Sequence, residues 1–383
     1  MDQPSAIGRR AFLSIAGTGA AMVPGLVSAA TTPDTDMIIV NALGGLSNPN
    51  ATPADAEAGE SKRRPFEPRV IADARASGVT AINCTIGYVA GNMEPFEHSI
   101  KEIGLWDSRL RRHPDDLLKV LTAADILRAK AENKIGIIYG FQNAAMMGDK
   151  AERADIFADL GVRVVQLTYN PANQIGDGSM APGNRGLTPF GREVVERLNG
   201  NRVMVDLSHS GERTCLEAAR VSKQPISINH TGCRTLTDLP RNKTDEELRL
   251  VASRGGFVGI YFMPFLNPRS VATAEDVVAH VDHAVRICGE DHVGIGTDGG
   301  ITGVDDMAAY RARIAKEIAD RRKAGIGAKG ENPDTLPFVA DLQGPTQFRE
   351  LADRLRRRGY KERMIEKILG RNFLTYAREV WGA

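Results

Sequence analysis

The chain has 383 residues, 42% of them apolar and 25% charged, enough for one large α/β domain or two ordinary ones with a sizeable core. Its formal charge is +1, from 49 basic and 48 acidic side chains, and no long basic run appears, which argues against a nucleic-acid partner. The short clusters Lys62-Arg63-Arg64 and Arg356-Arg357-Arg358 read as solvated faces.

The chain opens on "GRRAFLSIAGTGAAMVPGLVSAA", in which Arg9-Arg10 precede Phe12-Leu13 and a small-residue apolar stretch ending in Val27-Ser28-Ala29. This is the layout of a twin-arginine export signal over residues 1–30, with cleavage near Ala29 or Ala30 and a periplasmic destination. An uncleaved membrane anchor is the alternative. The stretch is short and rich in Gly and Ala, however, so the mature chain is expected to carry no stable membrane span. Residues 31–383 then form a single domain. Its four cysteines (Cys84, Cys215, Cys233 and Cys288) lack CxxC spacing and do not suggest a zinc knot. Cys84 and Cys288 sit in apolar contexts and read as buried thiols, although an oxidising compartment leaves a disulfide open.

Past Thr31, short β-branched runs alternate with amphipathic segments. The runs are "MIIVNAL" (37–43), "TAINCTI" (80–86), "KIGIIYGFQ" (134–142), "VRVVQLTY" (162–169), "RVMVDLSH" (202–209), "PISINH" (225–230), "GFVGIYFM" (256–263) and "HVGIGTD" (292–298). Near-continuous apolar strands with helices between them imply a parallel sheet covered on both faces. Eight such units predict an α/β fold, a (β/α)8 TIM-type barrel. A doubly wound open sheet is the runner-up, weakened by the lack of GxGxxG after the first strand. The segments 211–222 and 273–289 carry helical periodicity, and Thr244-Asp245-Glu246-Glu247 opens another helix with a cap and an acidic first turn. After the eighth strand, two or three terminal helices close the barrel. The loop from Ser47 to Pro65 is long for a βα connection, the kind that shapes substrate pockets.

Chemistry in such barrels gathers where strands end, so the last residue of each run tests for function. The third run ends in Gln142, the fourth in Tyr169, the fifth in His209, the sixth in His230 and the eighth in Asp298. Two of only seven histidines therefore close adjacent strands. A lone strand-end histidine is usually a hydrogen-bonded rim residue; five convergent polar ends point to a shared site. Two imidazoles and a carboxylate suit a divalent ion such as zinc, which lowers the pKa of bound water. Asp298 can serve as a ligand or take the proton of that water. Arg241, in "LPRNKTDEE", follows the His230 strand and can hold a carboxylate bidentately, or order its loop through a salt bridge.

With these residues assembled, the chain resembles the renal (membrane) dipeptidase family, peptidase family M19, within the amidohydrolase-like barrels. The resemblance covers most of the chain after the signal. It rests on "VDLSHSG", "HTGCRTLTDLPRN", "DHVGIGTDGG" and the closing "RRGYKERMIEKILGRNFL". It implies a binuclear zinc barrel that hydrolyses dipeptides and often forms a homodimer. It places His209 and His230 on one metal, and Asp298 near a second metal held by a His-x-Asp pair ending strand one. It also puts a glutamate bridging both ions at the end of strand three, and sets Arg241 against the substrate's carboxylate.

This chain departs from that pattern at the metal centre. Strand one reads Asn41-Ala42-Leu43-Gly44-Gly45, so Leu43 falls on the histidine and Gly45 on the aspartate. Gln142 falls on the bridging glutamate, and Tyr169 on a strand-four histidine that contacts substrate near the reacting carbonyl. Leucine and glycine cannot coordinate a metal, and an amide offers one neutral oxygen where a carboxylate neutralises two cations. His209, His230, Gln142 and Asp298 remain as ligands for one zinc ion, and Tyr169 can still donate a hydrogen bond to a carbonyl or oxyanion. The expected function is hydrolysis of a small peptide or amide with a free carboxylate. An altered barrel reaction in a bacterial pathway, or a non-catalytic periplasmic binding or accessory role, stands as the alternative.

Overall fold

The computed structural model describes residues 37–51, 66–323 and 329–382. The export-signal segment, 1–30, and most of the loop ending at Pro65 lie outside the described residues.

Every predicted apolar run carries a strand, and each pairing between strands is parallel. They are β1 (Val40–Gly45), β2 (Ala81–Thr85), β4 (Ile135–Phe141), β5 (Val162–Gln166), β6 (Met204–Asp206), β7 (Ser227–Thr231), β8 (Phe257–Ile260) and β9 (Val293–Ile295). Two short strands were not anticipated. β3 (Leu117–Val120) lies beside β4, off the main path, and β10 (Gly299–Gly300) prolongs the line of β9. The order β10-β1-β2-β4-β5-β6-β7-β8-β9 curls the sheet round, and the register Gly44↔Gly299 and Gly45↔Gly300 brings its last strand to its first. The fold is an α/β TIM-type barrel.

Helices occupy the spacers for local reasons. Asp245–Ser253 starts on a capping box between Thr244 and Glu247, and Ala274–Cys288 on another between Thr273 and Asp276. The second ends at Gly289, whose φ of 83° an L side chain would resist. The terminal helices close the N-terminal end of the barrel. Phe373 and Tyr376, on the helix Asn372–Trp381, pack with Ile38, Val40, Ala81, Val164, Met204 and Phe257 in one apolar cluster. A Cβ on Gly370 would come within 2.2 Å of the Ile38 carbonyl, so only glycine permits that contact. All four cysteines are buried free thiols.

The strands stop earlier than the apolar runs suggest. β5 ends at Gln166, β6 at Asp206 and β9 at Ile295, so Tyr169, His209 and Asp298 sit on the turns that follow. Apolar patterning reports burial, and the residues just past each strand (Leu167 and Thr168, Leu207 and Ser208, Thr297) are still buried, whereas Tyr169 and Asp298 are half-buried. Where the ladder ends is a matter of backbone hydrogen bonding, which hydrophobicity does not record.

Candidate metal centre at the mouth of the barrel

The site grows from the ends of β6 and β7. Asp206, 1% exposed, accepts hydrogen bonds from the Ser208 amide (3.0 Å), the Ser208 hydroxyl (2.5 Å) and the Asn229 amide (2.9 Å). Ser208 Oγ in turn accepts from the His230 amide at 3.0 Å. One carboxylate and one hydroxyl thus replace the strand ladder where it stops, locking the turn that carries His209 to the strand that carries His230. Lys243, fully buried, extends the brace by donating to the Ser210 carbonyl and pairing with buried Glu247 at 3.2 Å.

His209 is 4% exposed and held on three sides. Tyr169 stacks on its ring, with centroids 4.3 Å apart and planes at 23°. Its Nδ1 lies 2.7 Å from Asn170 Oδ1, which makes Nδ1 the protonated nitrogen and leaves the lone pair on Nε2. That Nε2 accepts from Arg241 Nη2 at 3.0 Å, while Arg241 Nη1 donates to the Ser208 carbonyl at 2.6 Å. His230 is wholly buried, and neither ring nitrogen has a hydrogen-bond partner among the described residues. Leaving a buried polar atom unmade costs about 1–3 kcal/mol, so this ring is poorly satisfied without a ligand. Burial, reinforced by Arg241, holds both imidazoles well below their ordinary pKa and therefore neutral, the form that binds metals.

Asp298 arrives from the other side. Its backbone is left-handed, with φ of 58°, and its amide donates to the Leu43 carbonyl at 2.9 Å. Burial pushes its carboxyl up to about 6, against the pull of Arg241 and a hydrogen bond from Gln142. Its Oδ2 lies 4.0 Å from His230 Nε2. One ligand atom each from His209, His230 and Asp298 fall within 4.8 Å of one another. Two nitrogens and a carboxylate oxygen at that spacing, one ring unsatisfied, fit a single divalent ion.

The structure treats the other anticipated residues differently. Gln142 bonds to Asp298, and Tyr169 stacks on His209. Leu43 is 2% exposed, and a Cβ built on Gly45 would meet nothing within 4 Å, so β1 supplies no ligand. Arg241 is 4% exposed, rests against His209, and forms no ion pair with a carboxylate among the described residues, so the loop-ordering salt bridge is absent there. Asn170, Lys243 and Glu247 had not been anticipated. Asn170 follows Tyr169 directly and was open to notice; a lysine and a glutamate four apart on a loop and a helix ordinarily read as solvated.

The fold and the geometry define a parallel α/β barrel with a two-histidine, one-carboxylate centre at its C-terminal mouth. The sequence profile of membrane dipeptidase (peptidase family M19) matches residues 76–326, and the chain belongs to this family. It is 32% identical to an amidohydrolase from Pseudomonas aeruginosa whose structure superposes with a TM-score of 0.76, over 91% of this chain and 98% of that one. It is 27% identical to the dipeptidase tcpJ of Claviceps purpurea over 286 residues, 74% of this chain but 60% of that protein's length. A metallopeptidase from Rhodobacter sphaeroides, liganded with a phosphinate mimic of the dipeptide L-Ala-D-Ala, shares the fold at 20% identity. That superposition has a TM-score of 0.70 and covers 90% of this chain and all of the other.

Proposed function

We propose that the protein is a metal-dependent hydrolase of small peptides or amides with a free carboxylate, built on one zinc ion rather than two. The observation that carries this reading is the convergence of His209, His230 and Asp298 within 4.8 Å, with both His230 nitrogens unsatisfied. A divalent ion there supplies Lewis acidity and activates water at neutral pH. His209 and His230 offer neutral nitrogens to it, and Asp298 an oxygen; Gln142 orients Asp298. In this reading Asp298 also receives the proton of the attacking water and returns it to the leaving amine. Arg241 pairs with the substrate carboxylate, and Tyr169 donates to the developing oxyanion. Only one ion fits the reading, because Leu43 and Gly45 offer no donor and the Gln142 amide cannot bridge two cations.

One contact favours a second reading. The Arg241 guanidinium occupies the Nε2 lone pair of His209 that an ion would need. If it stays there, the barrel serves an altered, metal-free reaction or a non-catalytic binding role. Mass-spectrometric metal counting of protein purified without added metal, together with dipeptide assays with and without zinc, decides between them. One ion per chain with zinc-dependent turnover is the expected result. Two ions overturn the single-ion reading, and no turnover with any metal overturns hydrolysis. The proposal includes export by the segment 1–30 and a homodimer, checked by fractionating an Arg9→Lys/Arg10→Lys variant and by sedimentation.

A further inference from the structure

One cavity, of about 210 Å³, is lined by the chain neighbours of Asp298 but not by His209, His230 or Asp298 themselves, and takes no part in the chemistry above. It starts within a residue of the ligand set: Thr297 and Gly299, which flank Asp298 in the chain, both line it. Its apolar walls are Phe262, Val304, Tyr310, Phe338 and Leu342, and the neutral polar side chains of Ser47, Thr302, Gln343 and Gln347 also line it. Tyr310 and Phe338 stand with ring centroids 5.4 Å apart at 44°, both half-buried, while Phe262 is 2% exposed. No charged side chain lines the cavity among the described residues.

The glycine strand β10 forms part of its lining, through Gly299 and Gly300. At this rim Gly44 and Gly45 pair with Gly299 and Gly300, so no side chain beyond hydrogen projects from either strand. A Cβ on Gly299 would touch nothing nearer than 3.9 Å. The edge that offers a metal nothing therefore stays open beside an apolar chamber.

We propose that this cavity receives a large apolar side chain of the substrate, aromatic or branched aliphatic, and sets the enzyme's side-chain preference. The inference rests on the peptide-hydrolase reading. Size supports it: a cavity of about 150 Å³ admits benzene, and this one is larger. Chemistry supports it as well, since a charged side chain entering here would lose its water and gain no counter-ion. Phe262 and Leu342 supply the apolar body of the chamber, and Tyr310 and Phe338 a stacking surface for a ring.

The test uses the full chain with its bound metal and phosphinate dipeptide mimics, which bind without turning over. Mimics of Phe-Ala, Ala-Phe, Ala-Ala, Asp-Ala and Ala-Asp share one core and differ only in side chain. Calorimetry should find a Phe mimic bound at least about tenfold more tightly than the Ala-Ala mimic, and the Asp mimics bound no better than it. Val304→Trp, which fills the chamber, and Phe338→Ala, which removes one wall, should each shrink that ratio. Equal affinity for the Phe and Ala mimics, or a ratio unchanged in both variants, overturns the proposal. Turnover of the corresponding dipeptides separates the two readings. Hydrolysis without side-chain preference discards the cavity and keeps the hydrolase, whereas preference in binding without hydrolysis of any dipeptide does the reverse.

Discussion

The two halves of the barrel mouth are built in opposite ways. At β6–β7, hydrogen bonds from Asp206, Ser208, Asn170 and Lys243 tie the turns and His209 in place, while both His230 ring nitrogens and the Asn229 side chain have no partner among the described residues. At β1–β10 the rim is glycine against glycine, with buried Leu43 beneath and no donor for a cation. A metal site needs both first ligands and the partners that orient them. One half presents two imidazoles with their orienting partners, and the other only glycines at its rim, so a candidate ligand set faces an open edge. Lost charge on one side need not disturb the other, because the β6–β7 bonds close among themselves.

Three experiments would break or sharpen this contrast. The largest effect is expected from His230→Ala, which removes a ligand from the intact half. Bound zinc should fall below one-tenth of an ion per chain, and kcat/KM by at least about a hundredfold, since even orienting partners cost 10–100-fold when removed. Retained zinc in that variant would detach the centre from β7. Next is reconstruction of the open half with Leu43→His, Gly45→Asp and Gln142→Glu together. Zinc stoichiometry should rise from one toward two; a count that stays at one would mean that more than these three side chains separates the halves. Gly45 has room for the carboxylate, while Leu43 must exchange core contacts for an imidazole, so some loss of stability accompanies the gain.

The smallest effect concerns the outer support of the intact half. His280, on the helix Ala274–Cys288, accepts from the Cys233 amide at 2.8 Å and lies 2.9 Å from the Leu266 carbonyl, bracing the loop that carries Arg241. Burial lowers its pKa to about 4. Between that value and the unfolded value near 6.5 the unfolded chain binds a proton that the folded chain refuses. The stability from the neutral ring is therefore complete above pH 6.5 and declines as pH falls toward 4, by about 1.4 kcal/mol per unit at most. Urea denaturation of wild type and His280→Gln across this range should show a shallower slope in the variant, where His209 and His230, also held low by burial, still contribute. Equal slopes would assign it to other groups.

The barrel was legible in the chain because burial on both faces of a parallel strand leaves a run of apolar residues, and all eight runs carry strands. The replacement of ligands in β1 was legible too, since Leu43 and Gly45 exclude coordination by composition alone. His209, His230 and Asp298 stood out as polar ends to apolar runs. Two short strands escaped notice: β3 lies off the barrel path and β10 is a pair of glycines with no pattern to read. The buried Lys243–Glu247 pair also escaped, because charge in a sequence reads as exposure until a partner is seen.

Residue identity thus determined the eight barrel strands, the family and which donors could be present. Tertiary structure alone decided which nitrogen of His209 carries its proton, that Arg241 sits on the other, and that both His230 nitrogens go unsatisfied. It also decided that Phe262, Val304, Tyr310, Phe338 and Leu342 line one chamber together with Thr297 and Gly299, the neighbours of Asp298 in the chain. Chain chemistry is local, whereas hydrogen-bond direction and enclosed space arise between segments far apart in sequence. Asn170 and His209, or Phe262 and Phe338, acquire those properties only when the barrel closes and brings them together.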